Sequence, residues 1–108
     1  MKNITQAEWR QLIAQDDQAI IMDVRTPNEC AEGILENALM VDIFDTSLFM
    51  DTIQKLDKSK SYYIYCRSGN RSGQACQLME NLGFEKTYNL IGGMMEWQGE
   101  TIAPSQKS

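Results

Sequence analysis

Apolar residues are arranged along this chain in two alternating ways. Short apolar runs between turn residues predict strands, and runs whose apolar residues return every three or four positions predict helices. The segment 19–22 (AIIM) is continuous and apolar, as in a strand covered on both faces. Residues 38–41 (ALMV) and 87–90 (TYNL) read as further strands, and 61–65 (SYYIY) is rich in strand-forming residues. Between them lie helical patterns. Ala7, Trp9, Leu12 and Ile13 mark a helix over about 6–14, opened by a capping box of Thr5 and Glu8. Thr26, Pro27 and Glu29 announce a second helix, and Gly33 ends it. Leu48, Phe49, Ile53 and Leu56 give a third over 47–57. Ala75, Leu78, Met79 and Leu82 give a fourth, with Gly83 as its C-terminal cap. Gly92-Gly93 then turns into a short last helix holding Met94, Met95 and Trp97.

Strands alternating with helices predict an α/β fold. The expected architecture is a small three-layer domain: a mostly parallel central sheet of about five strands, flanked by helices. The chain has 108 residues, the size of one domain. The domain is expected to span 1–103, with 104–108 as a frayed C-terminal tail.

Composition narrows the function. Ten Lys and Arg against fifteen Asp and Glu leave a net charge of −5. That balance argues against nucleic acid or an anionic membrane as partner. There is no histidine, which removes imidazole bases, His-ligated metals and Cys-His dyads. Cys30, Cys66 and Cys76 form no C-x-x-C pair, so neither a zinc knuckle nor a dithiol redox motif is present. No metal or cofactor is expected. The first residues, MKNITQAEWRQL, lack the apolar core of a signal peptide, and no apolar run is long enough to span a membrane. These features predict a reduced, cytoplasmic protein.

In parallel sheets, ligands bind at the carboxyl ends of strands. One such end is loaded with reactive groups: the loop 66–72, CRSGNRS, between the strand 61–65 and the fourth helix. Short polar residues around Gly69 let successive backbone N–H groups point inward, and the helix start adds its positive end. Arg67 and Arg71 add full charges. A thiol in that setting ionises readily, which makes Cys66 a candidate nucleophile and the loop an anion site.

This loop resembles the active-site loop of single-domain rhodanese-like sulfurtransferases. Two further segments agree in order and spacing. DVRTPNE at 23–29 is similar to the family's D-V-R-x-x-x-E, and LIGGMMEW at 90–97 to its closing G-G-x-x-x-W. The resemblance covers about residues 3–100. It implies that Cys66 attacks the outer sulfur of a small anionic donor such as thiosulfate, sulfite leaves, and the cysteine holds a persulfide. The N–H groups of Ser68, Gly69 and Asn70 would cradle the terminal sulfur, and Arg67 and Arg71 would orient the sulfonate. A thiophilic acceptor would then remove the sulfur: cyanide, or a thiol such as that of a reduced thioredoxin-like protein. Asp23, Arg25 and Ser72 would support the loop. The sequence departs from the family at Ile34, where a histidine is frequent, and at Cys30, where an aromatic is.

The remaining candidates are structural. Arg25 and Glu29 stand four apart and are placed to pair. Cys30 and Trp97 are assigned to the core. Cys76 is weighed as a resolving thiol, but its helix carries it away from Cys66 at about 1.5 Å per residue. Two other functions stay open. One is a persulfide carrier or regulatory module serving a protein partner. The other is a cysteine phosphatase or arsenate reductase, whose loop is C-x5-R where this chain has C-x4-R from Cys66 to Arg71.

Overall fold

Five parallel strands form one sheet in the order β1-β5-β4-β2-β3. They are β1 (Lys2–Ile4), β2 (Ile20–Asp23), β3 (Leu39–Met40), β4 (Ser61–Tyr65) and β5 (Lys86–Leu90). The computed structural model describes residues 1–104, so the tail foreseen at 104–108 lies outside the described residues except for Pro104. The helices are α1 (Gln6–Ala14), α2 (Pro27–Cys30), α3 (Thr46–Gln54) and α4 (Asn70–Asn81), and Gly93–Glu96 forms a 3-10 turn.

Alternation along β4 divides the core. Tyr62 and Ile64 face one layer, with Phe49 and Ile53 of α3 and Ala75, Cys76 and Met79 of α4. Tyr63 and Tyr65 face the other, with Trp9 of α1, Cys30 of α2 and Ile34. The Trp9 and Tyr63 rings meet edge to face with centroids 5.6 Å apart, an attractive aromatic geometry. Both capping boxes form: the side chains of Thr5 and Thr26 accept from the N–H groups of Glu8 and Glu29, whose carboxylates reach back to the cap N–H groups.

Several expectations need correction. Four strands are readable from apolar runs, and the fifth, β1, is not. It has a single buried residue, Ile4, and exists by pairing with β5. The second helix is one turn long. The fourth starts at Asn70, because Gly69 at φ +104° is its N-cap. Leu48 and Leu78, counted as apolar-face residues, are exposed, because each lies at the flank of its helix. The last helix is a 3-10 turn that ends before Trp97. Ile34 is fully buried and bonds through its backbone to Ile102, so at this position the chain has an aliphatic core residue.

Candidate active site

Strand β4 lies between β2 and β5, where successive connections leave in opposite directions, and that is where a parallel sheet opens a crevice. Asp23 ends β2 directly beside Tyr65, which ends β4, and Cys66 follows at once. The loop then turns on Gly69 into α4.

The turn wraps donors around Cys66 Sγ. The Gly69 N–H donates to it at 3.1 Å and the Ser72 N–H at 3.4 Å, and Ser72 Oγ lies 3.3 Å away. Cys66 has no exposed surface. Burial by itself pushes its thiol up. The Ser72 hydroxyl and the N–H groups of Ser72, Gly69 and Ser68 outweigh it and bring the thiol below its ordinary value. Cys30 and Cys76 lack such a ring, and burial pushes both thiols up to about 12. They are buried core residues, and Cys66 is the thiol set apart.

Nearby residues lock the loop. Gly93, at φ +52°, packs on its backbone, and a Cβ there would stand 2.5 Å from the Cys66 carbonyl oxygen. That approach lets the Met94 N–H donate to the Cys66 carbonyl and the Met95 N–H to that of Arg67, both at 2.9 Å. The Gly-Gly segment is therefore a clasp on the nucleophile's backbone.

The arginines are arranged differently from expectation. Arg25 does not pair with Glu29. Its guanidinium grips Asp23 at 2.7–3.1 Å and donates to the Gly33 carbonyl at 2.7 Å. Both are buried, so this pair ties the end of β2 to the segment after α2. Glu29 instead takes Arg71 in a two-pronged pair at 2.7 and 2.8 Å. Arg71's hydrogen bonds hold the Glu29 carboxyl at about 2, and the guanidinium also lies 5.4 Å from the Phe44 ring. Sequence separation hid this pair, because its members stand 42 positions apart. Arg67, Ser68 and Asn70 are exposed around the loop.

One supporting residue escaped the sequence reading. Asn89 of β5 donates to the Gly69 carbonyl at 3.1 Å and to Asn3 Oδ1 at 2.9 Å. Its own Oδ1 lies 2.5 Å from Ser72 Oγ. Asn3 stands opposite Asn89 because β1 pairs with β5 in that register. The signal was there: an asparagine, disfavoured in strands, interrupts a buried one.

The model of the rhodanese-like domain matches residues 5–100. The chain belongs to the rhodanese-like domain family. It is 41% identical over 101 residues to YtwF of Bacillus subtilis, covering 94% of each chain. A protein named sulfurtransferase from Allochromatium vinosum is 34% identical over 87 residues, covering 81% of this chain and 78% of that one. Among solved structures, a rhodanese-like domain protein from Staphylococcus aureus superposes with a TM-score of 0.82 at 31% identity, covering 95% of this chain and 98% of that chain. Sulfurtransferase-family proteins are thus among its homologues. Some longer rhodanese-like relatives are named tRNA uridine(34) hydroxylase, so the reaction has to be argued from the site. Among the described residues, no helix is long and apolar enough to cross a membrane.

Proposed function

We propose that this protein is a sulfurtransferase that carries sulfane sulfur as a persulfide on Cys66. The observation that carries this reading is the convergence of the Gly69 and Ser72 N–H groups on Sγ, at 3.1 and 3.4 Å. Fixed donors around a sulfur stabilise negative charge there, first on the thiolate and then on the persulfide. The thiolate attacks the outer sulfur of a donor such as thiosulfate. The S–S bond to Cys66 forms as the donor's own bond to that sulfur breaks, and sulfite leaves with the electron pair. An acceptor thiol, such as that of a reduced thioredoxin-like protein, or cyanide then takes the terminal sulfur and returns the thiolate. Neither step needs an imidazole, in keeping with a chain that has none.

A phosphatase reading is less well supported. The ring of donors around Sγ is tight, and Arg71, the residue that would grip a phosphoryl group, is held by Glu29. The test is intact mass. Thiosulfate should add one sulfur, ~32 Da, and cyanide should remove it, as for any covalent intermediate. Cys66→Ser should gain nothing, and an equal gain in that variant would remove Cys66 from the role. Repeated turnover with both substrates separates an enzyme from a carrier that needs its partner protein.

A further inference from the structure

Three arginines surround the loop, and two of them are neutralised. Asp23 holds Arg25, and Glu29 holds Arg71. Beside the loop lies a depression of about 200 Å³, lined by Arg25, Glu29, Glu32, Arg67, Met94 and Met95. The formal charges of the four ionisable residues cancel. Arg67 and Glu32 are exposed, and among the described residues neither has an ion-pair partner within 4.0 Å. The depression therefore offers one uncommitted cation and one uncommitted anion, with thioether side chains beside them. Once Cys66 is ionised, the local balance is negative.

That arrangement is poor for thiosulfate, a compact dianion, because Glu32 faces it with a like charge. It suits a donor that carries both signs. We propose that Arg67 and Glu32 select a small α-amino-acid persulfide. Its carboxylate pairs with Arg67, its ammonium with Glu32, and its short apolar stem lies against Met94 and Met95. The assignment rests on Cys66 accepting sulfane sulfur, and it names the donor. Written for the protonated donor R–S–SH, the Cys66 thiolate attacks the outer sulfur. The new S–S bond forms at Sγ as the donor's S–S bond breaks. The electron pair leaves on the inner sulfur as the amino-acid thiolate, which takes a proton from water. The transferred sulfur then gives its hydrogen to the hydroxide left in solution, and the loop N–H groups hold it as the anion. No outside oxidant or reductant is needed.

The experiment measures the initial rate of Cys66 persulfidation by intact mass with three donors at equal sulfane concentration. These are cysteine persulfide, N-acetylcysteine persulfide, which lacks the ammonium, and thiosulfate. Each rate is taken for the native protein, Glu32→Gln and Arg67→Gln. Intrinsic donor reactivity cancels when each variant is compared with the native protein. An exposed charge contact of this kind changes a rate or equilibrium by about 2- to 5-fold. Glu32→Gln should slow loading from cysteine persulfide by about that factor and speed loading from N-acetylcysteine persulfide and thiosulfate, the two donors that carry only negative charge. Arg67→Gln should slow all three, since each donor brings an anion to it. Equal effects of Glu32→Gln on all three donors, or none, would overturn the assignment while leaving sulfur transfer intact. If no donor adds sulfur to Cys66, the transfer reading fails as well. Both side chains are exposed, so neither substitution disturbs the core.

Discussion

Among the described residues, Ser72 supplies the only side-chain donor in the ring around the nucleophile, and replacing it with alanine isolates that donor. The hydroxyl has one hydrogen and two acceptors within reach, Cys66 Sγ at 3.3 Å and Asn89 Oδ1 at 2.5 Å. The Asn89 amide cannot turn over to relieve this, because its Nδ2 is needed by the Gly69 carbonyl, which only accepts. In the thiol state the hydroxyl therefore donates to Asn89. When Cys66 ionises, the charge draws that hydrogen to sulfur. A hydrogen bond to a charged group is worth about 1.5–3 kcal/mol, and about 1.4 kcal/mol corresponds to one pKa unit. Competition from Asn89 and the long Oγ···Sγ distance place this bond at the low end. Ser72→Ala should raise the Cys66 midpoint by about one unit, since the backbone donors remain. The assay is the pH profile of iodoacetamide alkylation, read peptide by peptide. Cys30 and Cys76, with thiols pushed up to about 12, serve as unreactive internal controls. A midpoint that stays within about 0.3 units, or falls, would show that the Ser72 hydroxyl does not stabilise the thiolate.

Two further outcomes follow from the contacts around the loop. Glu29→Gln removes the charge of the pair with Arg71 and should cost about 1 kcal/mol, lowering the thermal midpoint by about 4–8 °C near neutral pH. The Glu29 carboxyl sits at about 2 in the folded protein against 4.5 as its reference, so its contribution is present above pH 4.5 and lost as pH falls toward 2. The two melting curves should converge over that window, and a constant gap down to pH 2 would show that the charge is not what matters. Gly93→Ala should destabilise the domain by more than 1–3 kcal/mol, the usual range for overpacking, because the clash at 2.5 Å is with backbone and the φ is left-handed. Urea unfolding checks this, and a loss below about 1 kcal/mol would mean that the clasp yields easily.

What the sequence made legible is what local chemistry dictates. Thr5 with Glu8 and Thr26 with Glu29 close boxes three residues apart, so both helix starts were readable. Cys66 at the end of an aromatic strand, followed by small polar residues and Gly69, marked the loop without any knowledge of its neighbours. The missed features are those that need the sheet order. Strand β1 has almost no apolar content and is held by the partner that Asn89 also occupies. Glu29 satisfies its own helix cap and Arg71 at once, and only the adjacency of β2 and β4 brings those two together. Spacing alone assigned Glu29 to Arg25, a neighbour in sequence whose guanidinium is aimed at Asp23 instead.

The same geometry explains how a thiol is activated in a chain without histidine. A catalytic imidazole would bring its own titration, and its help to the thiolate would change with the charge on that ring. Here the groups that lower the thiol are backbone N–H groups and a hydroxyl, none of which gains or loses a proton in the working range. The charged residues stand one layer out and are closed into pairs: Asp23 with Arg25 under α2, and Glu29 with Arg71 across the loop. Glu29 stays ionised down to about 2, so the Arg71 anchor does not change while Cys66 titrates. The nucleophile's ionisation is thereby separated from the stability of the loop that holds it. Arg67 and Glu32, outside both pairs, are left to meet whatever enters.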